Sequence, residues 1–152
     1  MTMKQKTHPR ESLPALLRAH GISPTHQRIE IAHAIFSRHE HVAADRILAL
    51  TNVRATETSK ATVYNTLKLF VEHKLIREVI ADPGKVFYDP NTEPHHHFYD
   101  VDSGELIDID ADAIQVIGLP PLPDGTVAEG VDVIVRIRSR RANALPESLT
   151  AA

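Results

Sequence analysis

The sequence predicts an α+β fold, in which a helical first part precedes a second part rich in strands. Apolar residues recur at helical spacing as far as Val71 and at strand spacing from Ile76 onwards. The charge also changes along the chain: residues 1–90 contain 13 Lys and Arg against 9 Asp and Glu, whereas residues 91–152 contain 4 against 11. We therefore expect that the first part can approach a polyanion and that the second can hold cations.

Four helices joined by short links are predicted in the first part. The second helix is expected to start at Ser23 and Pro24, because Ser is a favourable cap and Pro suits the first helical position. The fourth helix follows the cap candidates Thr58 and Ser59. The other two helices are expected at about residues 11–20 and 43–51, and the second extends to about Arg38.

A β-hairpin is predicted after the fourth helix, because strand-like residues 76–80 and 86–88 flank the turn sequence Asp82-Pro83-Gly84-Lys85. Helices followed by a hairpin are the layout of a winged helix-turn-helix, in which the helix before the wing is the natural reader of the DNA major groove. The sequence therefore predicts a winged-helix domain over residues 1–90, with the wing at about 76–89.

A separate, smaller α/β domain is predicted over residues 91–141. Strand-like stretches occur at 95–100, 105–109 and 131–137, with a short helix at 112–117. Residues 142–152 lack periodicity and are expected to form a flexible tail.

Composition restricts the classes of protein to which the chain can belong. The 152 residues are 42% hydrophobic and 24% charged, which is an ordinary globular balance. The absence of cysteine excludes disulfides, iron–sulfur clusters and Cys-based zinc modules, so nitrogen and oxygen must bind any metal. No apolar run reaches the roughly 20 residues of a membrane span, and residues 1–20 lack the apolar core of a signal peptide. We expect a cytoplasmic protein without a membrane partner.

The predicted fourth helix buries Val63 and Leu67 and leaves a polar face outward. Hydroxyls and cations on that face suit phosphates, an amide can pair with adenine, and an aromatic ring can pack against a thymine methyl group. The alternative is the solvated face of an ordinary helix. The candidate DNA-binding residues of this helix are Lys60, Thr62, Tyr64 and Asn65.

Two alternate histidines are the strongest metal signal. In an extended segment, the side chains of His95 and His97 leave from one face and that of His96 from the other. A four-residue loop at 101–104 would place His97 opposite Asp108 and His95 opposite Asp110. Two imidazoles and a carboxylate suit Fe(II), Mn(II) or Zn(II). The alternative is a solvated polar link.

Four short segments together resemble the ferric uptake regulator (Fur) superfamily over about residues 12–140. They are Ser23–Arg28, His41–Asp45, Ala61–Asn65 and His95–His97. The resemblance implies a homodimeric, metal-responsive transcription factor, with an N-terminal winged helix and a C-terminal α/β dimerisation domain, that binds double-stranded, AT-rich, palindromic promoter DNA. It also implies that Tyr64 and Asn65 approach base edges and that Arg28 contacts a phosphate.

The resemblance to the manganese- and iron-binding peroxide regulators of this superfamily implies one divalent ion per subunit. Its ligands would be His41, Asp89, His95, His97 and Asp108. An ion bound by all of these residues would favour one angle between the two reading heads. Structural roles are the alternatives for three of them: Asp89 could end a strand, Asp108 could be a surface carboxylate, and His41 could cap a helix.

The sequence departs from the superfamily where most members carry a Cys-x-x-Cys structural zinc site. Asp100 and Ser103 occupy the positions of the first cysteine pair, so no four-cysteine structural zinc is expected. The second domain would then depend on apolar burial. The residues expected to supply it are Leu106, Ile107, Ile109, Val133, Ile134, Val135 and Ile137. A second histidine-rich metal site found in many members is expected to be lost or reduced to His96, since its other positions are Pro94, Gln115 and Val131.

The cysteine-free sequence with three consecutive histidines resembles the iron response regulator (Irr) branch of the superfamily. That resemblance implies a regulator of iron and haem homeostasis genes, in which His95, His96 and His97 are candidate haem contacts. A Cys-Pro haem motif known in the branch is missing here. Three alternatives remain: a peroxide sensor, a manganese or iron corepressor-type regulator and, remotely, a His/Asp metallohydrolase. We expect no enzyme, because phosphate-loop, nucleophile-elbow and HExxH motifs are absent.

Overall fold

The computed structural model describes residues 7–38, 41–54 and 58–140. It divides the chain into two units, residues 1–94 and residues 95–152, each with its own sheet. The predicted tail at 142–152 lies outside the described residues. In the described part of the chain, no helix is long and apolar enough to cross a membrane.

Four helices and a three-stranded sheet form the described part of the first unit. The helices are α1 (Leu13–Ala19), α2 (His26–Phe36), α3 (Ala44–Arg54) and α4 (Lys60–Glu72), and a 3-10 turn at Arg10–Ser12 leads into α1. The strands are β1 (Val42–Ala43), β2 (Arg77–Asp82) and β3 (Lys85–Asp89), in the antiparallel order β1-β3-β2. The predicted helices and hairpin are therefore confirmed.

The core of the first unit is apolar and draws on every helix. Its fully buried side chains include Leu17 of α1, Ile35 of α2, Ile47 of α3 and Phe70 of α4. Burying one side chain of this kind contributes about 1.5–3 kcal/mol, so the core fixes α4 firmly against the other helices. The outward face of α4 is thereby held on a rigid support.

The predicted start of α2 at Ser23 and Pro24 is wrong. The helix begins at His26, and its cap is Thr25, whose hydroxyl accepts a hydrogen bond from the backbone N–H of Arg28. The carbonyl of Ser23 accepts instead from the Arg28 guanidinium at 3.0 Å and from the backbone of Thr25. The predicted cap Ser59 of α4 is confirmed, since its hydroxyl accepts from the N–H of Thr62.

Strand β1 was not predicted, because two residues carry no detectable periodicity. It pairs with β3 through Val42 opposite Tyr88 and Ala43 opposite Phe87. Continuing this antiparallel register by one residue sets His41 opposite Asp89. The short strand β1 therefore places His41 beside Asp89, the last residue of the wing strand β3.

Strand β4 (His95–Asp100) is the centre of the second unit. It pairs antiparallel with β5 (Leu106–Asp110) and parallel with β6 (Ile134–Ile137). His95 lies opposite Asp110 and His97 opposite Asp108, which confirms the predicted register. That register decides which carboxylates lie beside the histidines.

Two predicted elements of the second unit are shorter than expected. The helix predicted at 112–117 is only a 3-10 turn at Ala111–Ala113, and residues 114–133 have no regular structure. Gly118 and the prolines at 120, 121 and 123 interrupt any helix in this stretch. The strand predicted from 131 begins at Ile134, and the backbone N–H of Val133 donates to the Nδ1 atom of His96 instead.

The turn between β4 and β5 is held by carboxylates. Oδ1 of Asp100 accepts from the backbone N–H groups of Asp102 and Ser103, at 2.9 and 3.2 Å. Oδ2 of Asp102 accepts from the N–H of Ser139, just beyond β6, at 2.9 Å. Hydrogen bonds therefore tie this turn to the end of β6, at the position expected for the first cysteine pair.

The apolar burial expected for the second unit is largely missing in the single chain. Of the seven residues that were expected to supply it, Leu106 is buried, Ile107 is 42% exposed and the others are half-buried. The physical reason is that a three-stranded sheet has two faces, and one face here has little packed against it within residues 95–140.

We predict that Asp100→Asn destabilises the second unit at neutral pH, because the ionised carboxylate accepts two backbone N–H groups. These bonds hold the pKa of Asp100 below its ordinary value of 3.8. The native chain should therefore keep this stabilisation above pH 4 and lose it as the pH falls through the lowered pKa, a step that the variant lacks. Urea unfolding followed by circular dichroism between pH 7 and pH 2 measures both chains.

Asp112→Asn, an exposed carboxylate outside the turn, is the control for the loss of one charge. A difference between the native chain and Asp100→Asn that stays constant down to the lowest pH would contradict this role of the Asp100 carboxylate.

Candidate metal centre and nucleic-acid interface

The second unit brings two imidazoles to one carboxylate. Nε2 of His95 and Nε2 of His97 lie 3.2 and 3.3 Å from the same oxygen, Oδ1 of Asp108. Both histidine side chains are fully buried, whereas that of Asp108 is 20% exposed. We call these three residues the β4–β5 triad. Strand alternation and register build it, since residues two apart on β4 share the face of the residue opposite on β5.

The spacing of the β4–β5 triad fits a transition-metal ion. Ligand atoms about 2.0–2.2 Å from one ion lie roughly 3–3.5 Å from each other in tetrahedral or octahedral geometry. The Nε2 to Oδ1 distances of 3.2 and 3.3 Å fall in this range. The residues could hold a metal ion, and imidazole with carboxylate favours Mn(II), Fe(II) or Zn(II).

The first unit brings together a second pair of predicted ligands. Nε2 of His41 lies 2.9 Å from Oδ2 of Asp89, and their side chains are 5% and 0% exposed. The other carboxylate oxygen of Asp89 accepts from the backbone N–H of Asn91, which fixes the orientation of the group. A buried carboxylate needs polar partners, and His41 and the Asn91 N–H supply them here. The pair also offers one nitrogen and one oxygen that could ligate a metal ion.

His96 has a different environment from its neighbours. Its side chain leaves from the opposite face of β4, and its Nδ1 atom accepts the hydrogen bond from Val133 at 3.0 Å. This bond assigns the ring proton to Nε2 in the neutral imidazole. Sequence reasoning placed His96 on the opposite face, but nothing in the sequence pointed to Val133 as its partner.

The outward face of α4 has the predicted polar character. Lys60, Tyr64 and Asn65 are exposed, and the Lys60 ammonium lies 5.8 Å from the centre of the Tyr64 ring. Thr62 is half-buried, and its hydroxyl lies 2.9 Å from that of the cap Ser59. Behind this face, burial and the nearby Glu78 and Tyr64 raise the pKa of Tyr88, so that its phenol stays protonated.

A groove of about 500 Å³ runs between the first turn of α2 and the middle of α4. Of the predicted DNA-binding residues, Arg28 lines one side of it, and Thr62 and Asn65 line the other. The first N–H groups of a helix attract anions, and the Arg28 guanidinium adds a full positive charge. The remaining lining residues were not predicted from the sequence. They are Thr25, His26, Gln27, Thr66 and Leu69. Recognising Thr25 as the cap of α2 would have pointed to those at the start of this helix.

The first unit thus has the architecture of a winged-helix DNA-binding domain, and the second carries a metal-type ligand cluster beside a three-stranded sheet. The model of the ferric uptake regulator family matches residues 19–119. A peroxide-responsive repressor, PerR, of Staphylococcus epidermidis is 31% identical over 101 residues, which are 66% of this chain and 67% of that protein. PerR proteins of Staphylococcus aureus are 31–32% identical over the same length.

Solved structures agree in fold. The ferric uptake regulator of Pseudomonas aeruginosa with manganese has a TM-score of 0.62 at 21% identity and covers 84% of this chain and 97% of its own. The Vibrio cholerae regulator has a TM-score of 0.64 at 17% identity, with coverages of 84% and 99%. The chain belongs to the ferric uptake regulator family, whose members are DNA-binding, dimeric, metal-responsive transcriptional regulators and not enzymes.

We predict that Asp108→Asn weakens Mn(II) binding by about 10- to 100-fold, because it removes the charge on which both imidazoles converge. Isothermal titration of the full chain measures this affinity. Asp110→Asn, on the same strand and face but two residues further on, is the matched control and should bind nearly as the native chain does. Equal losses in the two variants would contradict the role given to Asp108.

We predict that Asn65→Ala relaxes base preference at one operator position by about 1–3 kcal/mol, because an exposed amide on the reading face can pair with adenine. Lys60→Ala should instead weaken binding equally for all sequences and reduce the salt slope by about one. Fluorescence anisotropy with operator variants at several salt concentrations separates the two effects. Identical profiles for the two variants would exclude base reading by Asn65.

Proposed function

We propose that one divalent ion, held jointly by the His41–Asp89 pair and by the β4–β5 triad, switches DNA binding. Neither group is a complete shell, since one offers two donors and the other three. Five nitrogen and oxygen donors suit Mn(II) or Fe(II). An ion that needs ligands from both units favours the arrangement in which all five are available.

The observation that carries this proposal is the burial of both groups. The His41–Asp89 pair and the two imidazoles of the β4–β5 triad, all almost removed from solvent, precede and follow the short link from Pro90 to Pro94 in the sequence. This link joins the wing to β4, so an ion bound at both ends would restrict the orientation of the reading helix. A homodimer would present two such helices to the half-sites of a palindromic, AT-rich operator.

We further propose that the regulator is of the iron response regulator type and controls genes of iron and haem homeostasis. The support is the triple-histidine strand in a chain without cysteine. Haem ligation through Nε2 of His96 would require the ring proton to move to Nδ1, which would break the hydrogen bond that Nδ1 accepts from the Val133 N–H. Titration with haem should give a saturable Soret shift that His96→Ala reduces. An unchanged titration in a variant lacking His95, His96 and His97 would exclude this role.

A peroxide sensor is the second candidate function, favoured by the PerR relatives and by the all His/Asp donor set. In an Fe(II)-loaded chain, peroxide would then add one oxygen atom to His41 or His95 and leave as water. Mass spectrometry detects this as a gain of about 16 Da on the peptide, with the Mn(II)-loaded chain as control. Iron-loaded protein that stays unmodified would remove this candidate.

The joint site predicts a specific behaviour for His41→Ala. Mn(II) should still bind to the β4–β5 triad, but more weakly, and should no longer alter operator affinity, because the first unit loses its share of the ligands. In the native chain we expect Mn(II) to change operator affinity by about 5- to 150-fold. Anisotropy titrations with and without Mn(II) measure both quantities.

His73→Gln replaces an exposed histidine of the same unit and is the matched control. The proposal would fail if His41→Ala kept the full effect of Mn(II) on operator binding.

A further inference from the structure

The second unit exposes an unusual amount of apolar surface. Among the residues that the structure describes, ten large apolar side chains are exposed, and eight of them fall between 98 and 131. The eight are Phe98, Ile107, Val116, Ile117, Leu119, Leu122, Val127 and Val131. Single exposed apolar residues are normal, but a concentration of this kind marks an interaction surface.

Part of this surface is one face of the sheet. The register puts Phe98 beside Ile107 on one side and Val135 on the other, and Ile109 and Ile137 continue the same face along the strands. We call these five residues the apolar sheet face. It is the face of β4 opposite to His95 and His97. Phe98 is 36% exposed and Ile107 42% exposed, so little of the described chain covers them.

The rest of the surface is the irregular segment at 114–133, which we call the arm. Within the arm, the described hydrogen bonds close a turn between Pro123 and Thr126. Ile117 is 81% exposed and Val127 is 85% exposed. A stretch of this length without regular structure is uncommon in a folded domain, and such stretches are usually functional loops, including binding loops, or linkers. Extended at about 3.3 Å per residue, the arm could reach across to another molecule.

The second unit also lacks a core of its own. Among residues 95–140, the buried apolar side chains are Tyr99 and Leu106, and the other buried side chains are the three histidines. A unit this small cannot balance the entropy of folding with so little burial. Its stability therefore requires apolar surface from outside residues 95–140.

We propose that the arm of one copy lies on the apolar sheet face of a second copy, so that two copies exchange arms. Every copy carries both surfaces, and a two-fold axis lets each arm cover the other sheet at once. The family forms dimers, and the proposal names the segment and the face that are exchanged. The β4–β5 triad lies on the opposite face of the same sheet, so arm exchange also stabilises the strands that carry it.

Substitutions that introduce charge into the arm test this arrangement. Ile117→Asp with Leu119→Asp should convert the dimer to a monomer at micromolar concentration in light scattering, because two charges cannot lie on an apolar face. Ile80→Asp, an equally exposed position in the first unit, is the control and should leave the dimer intact. A milder pair, Ile117→Ser with Leu119→Ser, should raise the dimer dissociation constant at least about tenfold if the charged pair does not fold. A dimer unaffected by every arm variant would overturn the proposal.

Cross-linking then distinguishes exchange from an arm that folds back on its own sheet. The native chain has no cysteine, so Leu119→Cys and Phe98→Cys introduce single reactive thiols. We expect a short bismaleimide to link the two variants when they are mixed and allowed to exchange subunits. Intrachain links alone, in a chain carrying both substitutions, would overturn arm exchange, as would occupation of the face by residues 141–152 in the same experiment. Mn(II) binding, measured on the same variants, reports separately on the proposed metal switch.

Discussion

The antiparallel pairing of β4 with β5 organises the second unit. One register puts His97 opposite Asp108 and places His95 on the same face, so that two Nε2 atoms converge on one carboxylate oxygen. A shift by one residue would turn both imidazoles to the other face and replace them with His96. The same register collects Phe98 and Ile107 on the opposite face. A single pattern of backbone hydrogen bonds therefore builds both a ligand cluster and a surface for association.

Much of this could be predicted from the sequence, because strand alternation and loop length are local properties. The placement of His95, His97 and Asp108 follows from a period of two and a four-residue loop, and the structure confirms that register. The reading face of α4 follows likewise from helical spacing and the cap at Ser59. Two predictions failed where two groups compete for the same hydrogen bond. Thr25 caps α2 in place of Ser23, and His96 takes the Val133 N–H that a longer β6 would have used.

Contacts between residues far apart in the chain could not be predicted from this one sequence. The strand β1 is two residues long, yet it sets His41 beside Asp89. The carboxylates of Asp100 and Asp102 hold the turn where cysteine pairs would be expected, and one of them reaches Ser139, 37 residues away. Apolar patterning predicted a core of seven residues for the second unit, but all of them except Leu106 are half-buried or exposed in the single chain. Their burial depends on a second molecule, which no periodicity in the sequence describes.

X-ray absorption of the Mn(II)-loaded full chain shows whether one ion takes ligands from both units. For a shared ion, we expect a shell of nitrogen and oxygen atoms only, with outer scattering from three imidazoles, of which one disappears in His41→Ala. An ion surrounded by water, or a spectrum with two imidazoles that His41→Ala leaves unchanged, would contradict a shared site. In the second case, the β4–β5 triad would bind metal alone, and control of the reading helix would require another cause.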